Sequence, residues 1–375
     1  MTNPISMKQN RFSFFNFKKL LFVLLVLLII SSNIDASANK LWSYRSLAGF
    51  VDTSPAVGDL DNDGVKDLVF CTVAGQVLAL NSLGLRMWYY DVEKSIITTP
   101  PIITDLKNDG SLEVLVLTND GNIICLNGNS GKFIWNYQLP SPIIWGKTSL
   151  VVSDIKNNGK KVIIAADKDG NLISLKEDGS LSWHKKNDDK FNTSPAIGQL
   201  KEQGEQIILI GSDRSPLICF SKSGKELWRV SDEKSSSSSP LICDIDGDNI
   251  SEILVGTGKE LSLFNNEGKK LWSYQMRGLV HDAISFGDIN SDDKIEIVVA
   301  DLLGDVVTLN NMGKVLWKSN IANRVRRSAT IADIDGNLKP EVLIAGYSSV
   351  LFVYNNDGSI KDQIPLKGAM NGSPT

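Results

Sequence analysis

The chain has 375 residues, of which 42% are apolar and 22% are charged, so it can bury a large core and is not intrinsically disordered. Its 39 Lys and Arg against 43 Asp and Glu leave no basic excess, which argues against a nucleic-acid partner. The presence of only two histidines disfavours imidazole-rich metal sites and most His-based catalysis.

The first forty residues have the composition of an export signal. Four basic residues precede an uninterrupted apolar run at 20–30, and Ala36 and Ala38 frame a small-residue cleavage site. The run is shorter than the roughly 20 apolar residues of a membrane span. We therefore expect residues 1–38 to be a cleaved signal peptide and residues 39–375 to form one domain that is secreted, periplasmic or at the cell surface, with no membrane span. An uncleaved N-terminal membrane anchor is the alternative.

The remainder of the chain is built from seven repeats. An Asp or its replacement follows a short apolar segment at intervals of 44 to 49 residues, at Asp59, Asp105, Asp154, Gln199, Asp244, Asp288 and Asp333. A Trp recurs with nearly the same period, at Trp42, Trp88, Trp135, Trp183, Trp228, Trp272 and Trp317. Each unit contains four short segments rich in Val, Ile and Leu, which in the first unit are 54–60, 67–73, 76–81 and 85–92. This pattern predicts an all-β fold, a β-propeller of seven four-stranded blades in which each Trp packs against the next blade.

The closure of the ring is irregular in the sequence. Residues 39–46 read as a fourth strand without the first three, and residues 371–375 resemble the opening of another unit. The seventh unit has Asp362 where the others have Trp. We favour seven complete blades over an incomplete eight-bladed ring.

The loop after the first strand carries oxygen side chains at positions 1, 3, 5 and 9 in four units. Oxygen-only ligands at alternating positions in a tight loop are what Ca²⁺ requires, and we predict four calcium sites. An EF-hand is excluded because its position 12 is apolar here and the flanking segments are strands. An Asx-rich turn without metal is the alternative, and it is our interpretation for units two to four, which have Lys at position 3. The predicted ligands are Asp59, Asp61, Asp63, Asp67, Asp244, Asp246, Asp248, Glu252, Asp288, Asn290, Asp292, Glu296, Asp333, Asp335, Asn337 and Glu341.

These loops resemble the FG-GAP or VCBS-type repeats, whose D-x-D-x-D-G-x-x-D loops bind calcium in integrin α-subunit propellers and in exported bacterial proteins. The resemblance spans residues 50–365 and implies that the same sixteen side chains are ligands, assisted by the carbonyl at position 7. The segment Gly170 to Trp183, GNLISLKEDGSLSW, is also similar to the Trp-containing repeats of quinoprotein dehydrogenases and of the propeller in the outer-membrane assembly machinery. Both resemblances imply a fold rather than an activity.

A second candidate site lies where fourth strands connect to the next first strands. An exposed Trp beside cationic residues can bind an acidic glycan or a carboxylate-bearing peptide, and a solvated loop is the alternative. The candidate ligand-binding residues are Trp145, Lys147, His281, Asp282, Arg324, Arg326 and Arg327.

These features favour an exported, calcium-stabilised, monomeric propeller that acts as a non-enzymatic binding, adhesion or assembly scaffold for protein or carbohydrate ligands. The alternative is an exported enzyme, a polysaccharide lyase or a quinone-dependent oxidoreductase, with its site in the central funnel. The four cysteines fall in apolar segments and are expected to be buried thiols, with Cys219 and Cys243 the one pair to test for a bridge.

Overall fold

A computed structural model describes residues 42–45, 49–144, 147–201, 204–231, 234–347, 349–366 and 373–374. The predicted signal segment, residues 1–38, lies outside these ranges, and so does Trp145. Within them every regular element is a β-strand, and no helix is long and apolar enough to cross a membrane.

The strands form seven four-stranded antiparallel sheets, each made of four consecutive strands, so the predicted all-β propeller of seven blades is confirmed. Blade one is β1 (Ala56–Gly58), β2 (Asp67–Cys71), β3 (Gln76–Leu80) and β4 (Arg86–Asp91). Blade two is β5 (Ile102–Thr104), β6 (Glu113–Leu117), β7 (Asn122–Asn127) and β8 (Phe133–Gln138). Blade three is β9 (Val151–Ser153), β10 (Val162–Ala166), β11 (Asn171–Leu175) and β12 (Leu181–Lys186).

The last four blades repeat this order. Blade four is β13 (Ala196–Gln199), β14 (Gln206–Ile210), β15 (Ile218–Ser221) and β16 (Glu226–Arg229). Blade five is β17 (Leu241–Cys243), β18 (Glu252–Thr257), β19 (Glu260–Phe264) and β20 (Lys270–Gln275). Blade six is β21 (Ile284–Gly287), β22 (Glu296–Ala300), β23 (Asp305–Leu309) and β24 (Val315–Asn320). Blade seven is β25 (Thr330–Ala332), β26 (Glu341–Ala345), β27 (Val350–Tyr354) and β28 (Ile360–Pro365).

The apolar cores lie between neighbouring blades. Second strands such as β6, β10 and β22 are buried at every residue, because both faces of each sheet pack against a neighbour. In the first core, Val69 and Cys71 of blade one pack with Val114 and Val116 of blade two. The continuous apolar runs in the sequence therefore reflect burial on two faces.

The repeated Trp has the structural role that its spacing predicts. The Trp88 indole donates Nε1–H to the Gly128 carbonyl at 2.6 Å, across the boundary between blades one and two. A Cβ added at Gly131, which has φ of +66°, would lie 2.6 Å from the same ring. The glycine in the turn before each fourth strand thus makes room for the Trp of the preceding blade.

All four cysteines are unpaired, and Cys219 and Cys243 lie on strands of different blades. Burial raises the pKa of the Cys125 and Cys219 thiols to about 12. These thiols are therefore unreactive packing groups at neutral pH.

Candidate functional site

Each innermost strand joins two different sites. In blade one, Ser54 lines a central cavity, β1 runs from Ala56 to Gly58, and Asp59 opens the acidic loop. A three-residue strand spans about 10 Å. The cavity and the acidic loops therefore lie on opposite faces of the ring.

The acidic loops are held by bonds from backbone amides to their own carboxylates. In blade one, Asp59 Oδ2 accepts from the Gly64 amide at 2.9 Å and Asp63 Oδ1 accepts from the Val65 amide at 2.7 Å. Asp67, at the start of β2, accepts from the Leu60 amide at 2.9 Å and closes the loop. These bonds fix the conformation of the loop and the orientation of its carboxylates at positions 1, 5 and 9.

Each of the four predicted calcium loops brings three carboxylates together, with one oxygen from each side chain lying within 4.8 Å of the others. Asp63 and Glu252 lie outside these groups, and each accepts a backbone N–H instead. The amides of Asn290 and Asn337 also accept backbone N–H groups, from Asp292 at 3.0 Å and Lys339 at 2.7 Å. The groups are Asp59, Asp61 and Asp67; Asp244, Asp246 and Asp248; Asp288, Asp292 and Glu296; and Asp333, Asp335 and Glu341.

The first loop fits a hard cation on three grounds. Its side-chain donors are all oxygens, which suits Ca²⁺. Asp59 Oδ1 is buried and has no hydrogen-bond partner among the described residues. Burial, together with repulsion from Asp61, Asp63 and Asp59, raises the pKa of Asp67 to about 6. A bound cation would coordinate the unpartnered Asp59 Oδ1 and reduce the repulsion among the carboxylates.

In two loops a lysine ammonium lies beside the carboxylate at position 9. In blade two, Lys107 Nζ lies 3.7 Å from Glu113 Oε1. In blade seven, Lys361 Nζ donates to Glu341 Oε1 at 2.7 Å and also contacts Asp335. Lys361 comes from the fourth strand of the blade, so loop spacing alone could not reveal it.

The hydrogen-bonded turn does not itself mark a metal site. In blade three, Asp154 accepts from the Asn158 amide at 3.0 Å and from the Gly159 amide at 2.6 Å, as in the acidic loops. That loop has Lys156 at position 3 and Val162 at position 9. An oxygen side chain at position 3 together with a carboxylate at position 9 therefore distinguishes the candidate calcium loops from an ordinary Asx turn.

The central cavity has a volume of about 230 Å³ and is lined mainly by hydroxyl groups. Ser149 N–H donates to Ser194 Oγ at 2.9 Å, Ser194 N–H donates to Ser239 Oγ at 3.1 Å, and Ser239 N–H donates to Asp282 Oδ1 at 2.7 Å. Sequence reasoning missed this ring, although part of its signal was the Thr-Ser-Pro triplet at 53–55 and 193–195, which begins six residues before Asp59 and Gln199. The lining hydroxyl residues are Ser54, Thr98, Thr99, Thr148, Ser149, Ser194, Ser239, Ser328 and Ser373.

Three of the predicted ligand-binding residues line this cavity, namely Lys147, Asp282 and Arg327. His281 lies beside it, and its buried Nδ1 has no hydrogen-bond partner in the described part of the chain and lies 3.7 Å from Asp282 Oδ2. Burial lowers the pKa of His281, and the cationic side chains of Lys147, Arg326 and Arg327 lower it further against the opposing effect of Asp282. These surroundings therefore favour the neutral form of the imidazole.

The remaining two arginines of the predicted set are exposed and are not among the lining residues. The Arg326 guanidinium lies over the Tyr347 ring, 5.6 Å from its centroid, and the Arg324 carbonyl accepts from the Tyr347 amide at 3.0 Å. The cavity therefore presents two cationic side chains, those of Lys147 and Arg327, against one carboxylate, that of Asp282.

Two family models match parts of the chain. The lambda-carrageenase β-propeller domain matches residues 257–368, and the outer membrane protein assembly factor BamB matches residues 74–201. Neither covers half of the chain, and no curated protein matches it.

Solved structures share the fold at low sequence identity. BamB from Moraxella catarrhalis is 19% identical with a TM-score of 0.58, over 87% of each chain. The quinohemoprotein alcohol dehydrogenase from Comamonas testosteroni is 10% identical with a TM-score of 0.62, over 88% of this chain and 69% of that one. The computationally designed Ika8 protein is 14% identical with a TM-score of 0.64, over 87% of this chain and 92% of that one. At these identities the likeness shows the propeller fold alone.

The predicted membership of the FG-GAP or VCBS family is wrong, because the matching families are the carrageenase propeller and BamB. The acidic loop is a local solution to a tight turn between two strands, so unrelated propellers can share it. The similarity of the Trp-containing strands to those of quinoproteins and of the assembly propeller is supported.

Proposed function

We propose that this protein is a calcium-stabilised binding scaffold that acts outside the cytoplasm as a monomer and takes an anionic group of its ligand into the central cavity. The cavity carries this proposal, since it places Lys147 and Arg327 within a ring of hydroxyl groups. Cations and hydroxyl donors together recognise sulfate and carboxylate groups. At about 230 Å³ the cavity is smaller than the ~300–1,000 Å³ of typical small-molecule sites, so it suits one charged group of a larger ligand.

The polar groups of the cavity favour binding over catalysis. Nucleophilic catalysis needs a hydroxyl within reach of a base. Ser194 Oγ instead accepts from the Ser149 amide at 2.9 Å and donates to the Lys147 backbone carbonyl at 3.3 Å, which is not a base. The ring of hydroxyl groups has the character of a preformed receptor.

An acidic carbohydrate is the ligand that we favour. One of the two matching families is named for a carrageenase, an enzyme of a sulfated polysaccharide, and sulfate suits two cations with hydroxyl donors. A carboxylate-bearing protein segment is the second candidate, favoured by the match to an assembly factor. A solved neighbour, BBS1N at 12% identity and a TM-score of 0.56, is also in complex with a protein partner, ARL6DN.

We propose that calcium ions bind and stabilise the acidic loops on the face of the ring opposite the cavity. The sixteen predicted ligands of blades one, five, six and seven would supply oxygens to one ion per loop, and the ion would neutralise carboxylates that otherwise repel one another. The ion in blade seven must displace Lys361, so we expect the weakest affinity there. A higher melting temperature in calcium than in chelator tests this role, and an unchanged one contradicts it.

Binding of lambda-carrageenan and of a neutral galactan to the full chain in calcium tests the cavity. We expect K147M and R327M each to weaken carrageenan binding by roughly tenfold to a hundredfold, since a hydrogen bond to a charged group contributes about 1.5–3 kcal/mol. K314M removes an exposed lysine from an outer turn of blade six and is the matched control.

Equal binding of the neutral polymer would refute the role of the two cations, as would equal effects of all three substitutions. Depolymerisation of carrageenan by the wild-type protein would support the enzyme alternative instead. Binding of an acidic peptide that depends on Lys147 and Arg327, without carrageenan binding, would favour the protein partner.

A further inference from the structure

The connection between blades six and seven carries three arginines within four residues, at Arg324, Arg326 and Arg327. Arg327 lines the central cavity, whereas Arg324 and Arg326 are exposed and lie outside the lining. Among the described residues, no carboxylate pairs with the guanidinium of Arg324 or Arg326. Two cationic side chains beside the cavity are therefore accessible to a ligand.

Exposed arginines elsewhere on this side of the ring are paired with carboxylates. Arg277, in the connection between blades five and six, pairs with Asp305. Arg214, in blade four, pairs with Asp189 at 2.8 Å. Those two arginines stabilise contacts within the fold, whereas the two exposed arginines beside the cavity have no such contact in the part of the chain that the structure describes.

The backbone of the arginine-bearing connection is held from both sides. Val325 is fully buried, and its amide donates to the Asp301 carbonyl of blade six at 3.2 Å. The Arg324 carbonyl accepts from the Tyr347 amide of blade seven at 3.0 Å. A ligand that binds here therefore orders side chains but not the main chain, which lowers the entropic cost of binding.

Arg326 is oriented by an aromatic ring. Its guanidinium lies over the Tyr347 ring, 5.6 Å from the ring centroid. A stacked guanidinium keeps the N–H groups at its edge directed at the oxygens of a sulfate or carboxylate. Burial lowers the pKa of His281, and the charges of Arg326 and Arg327 lower it further, so both guanidinium groups act on the same side of the cavity.

Arg326 and Arg327 are placed to contact different groups of one ligand. Arg327 faces the cavity, and Arg326 packs on the Tyr347 ring outside it. Cα atoms of consecutive residues are about 3.8 Å apart across a trans peptide. A ligand that places one anionic group at Arg327 therefore brings the next group of its chain towards Arg326.

We propose that Arg326, with Arg324 two residues before it, forms a second anion subsite that binds a sulfate on the sugar next to the one that enters the cavity. This inference rests on the proposed function, since Lys147 and Arg327 hold the first sulfate. The cavity alone recognises one charged group, whereas the two subsites together recognise sulfates on adjoining sugars. The second subsite thereby selects a carbohydrate with sulfate on adjacent sugars over one with isolated sulfates.

Two galactobioses of equal size test the second subsite, one with a single sulfate and one with a sulfate on each sugar. Calorimetric titration of the full chain in calcium should show about fivefold tighter binding of the disulfated sugar, which is the upper range for an exposed ion pair. The preference should shrink between 0.1 M and 1 M salt, because the Debye length falls from about 10 Å to about 3 Å.

Substitutions locate the second sulfate. R326M should abolish the preference for the disulfated sugar, R324M should reduce it, and R327M should weaken binding of both sugars. R277M removes an exposed arginine that is paired with Asp305 on the same side of the ring, so it should keep the preference. Circular dichroism establishes that each variant is folded.

Equal affinity of the wild-type protein for the two sugars would overturn the second subsite and leave the cavity in place. Failure of both sugars to bind would refute the proposed function and this inference with it. A preference that survives in R326M, or that R277M abolishes as well, would show that Arg326 does not hold the second sulfate. An Arg326-dependent preference for a peptide with two carboxylates, with none for the disulfated sugar, would overturn the assignment to carbohydrate.

Discussion

Replacing Lys361 by Met tests whether a lysine replaces calcium in blade seven. The side chain lies between Glu341, which is 2% exposed, and the more exposed Asp335. Although burial of the ammonium lowers its pKa, hydrogen bonds to the two carboxylates raise it by more, so the net shift of the Lys361 pKa is upward. The folded state therefore stabilises the charged lysine, and methionine keeps the packing of the stem while removing the charge.

The expected magnitude follows from the burial of the pair. Breaking a fully buried ion pair costs about 3–5 kcal/mol, but Lys361 and Asp335 are partly exposed, so we expect a loss of about 2 kcal/mol in chelator. Calcium no longer has to displace the ammonium in K361M. The affinity of this loop for calcium should rise by a similar free energy, which corresponds to about thirtyfold.

Thermal unfolding in chelator and calorimetric titration with calcium measure the two effects. We expect wild-type protein to bind three ions tightly and a fourth weakly, and K361M to bind four tightly. K339M removes an exposed lysine from the same loop and should change neither quantity appreciably. If K361M is as stable as wild type in chelator and binds the same number of tight ions, Lys361 does not occupy a calcium position.

Three further predictions concern other blades. K107D restores a carboxylate at position 3 of the loop of blade two, and titration should detect one additional calcium ion. G313A places a Cβ 2.9 Å from the Trp272 ring and should cost about 2–4 kcal/mol in chemical denaturation, whereas G258A, with a similar positive φ but open space, should cost only the ~1–2 kcal/mol of the backbone. Despite its burial, Glu260 has a pKa lowered to about 2 by Lys270, Ser262 and Lys234, so its contribution is present above pH ~4.5 and is lost as the pH falls towards 2. E260Q should therefore lower the melting temperature at pH 7 and approach wild type near pH 2.

The fold was predictable from sequence because burial is periodic in this chain. Every blade has its apolar strands at the same phase, and each Trp meets a glycine turn about 40 residues later, as Trp88 meets Gly131. The first strands are shorter than the sequence predicts, since Ser54 bonds to Ser373 at the cavity wall and the ladder begins only at Ala56. Strand identity is a local property, whereas strand ends depend on contacts between distant segments.

The candidate site was only partly predictable for the same reason. The carboxylates of one acidic loop are neighbours in sequence, so their grouping followed from spacing. The hydroxyl ring draws its members from different blades, and Lys361 reaches its loop from a strand 20 residues after Glu341. The family was misassigned because a loop motif constrains about nine residues, whereas the matched family models describe more than 100 residues each.

A single short strand connects the two faces of the ring in each blade. In blade one a three-residue strand separates the loop carboxylate Asp59 from Ser54, which lines the cavity and accepts from Ser373. Without a cation, the clustered carboxylates repel one another, which favours an open loop. Because β1 is so short, few ladder hydrogen bonds keep an opening of the loop from displacing the other end of the strand. We propose that an ion that held the loop closed would also hold the hydroxyl ring in its ordered arrangement. By linkage, a ligand that binds only the ordered ring must raise the affinity of the loops for calcium by the same factor.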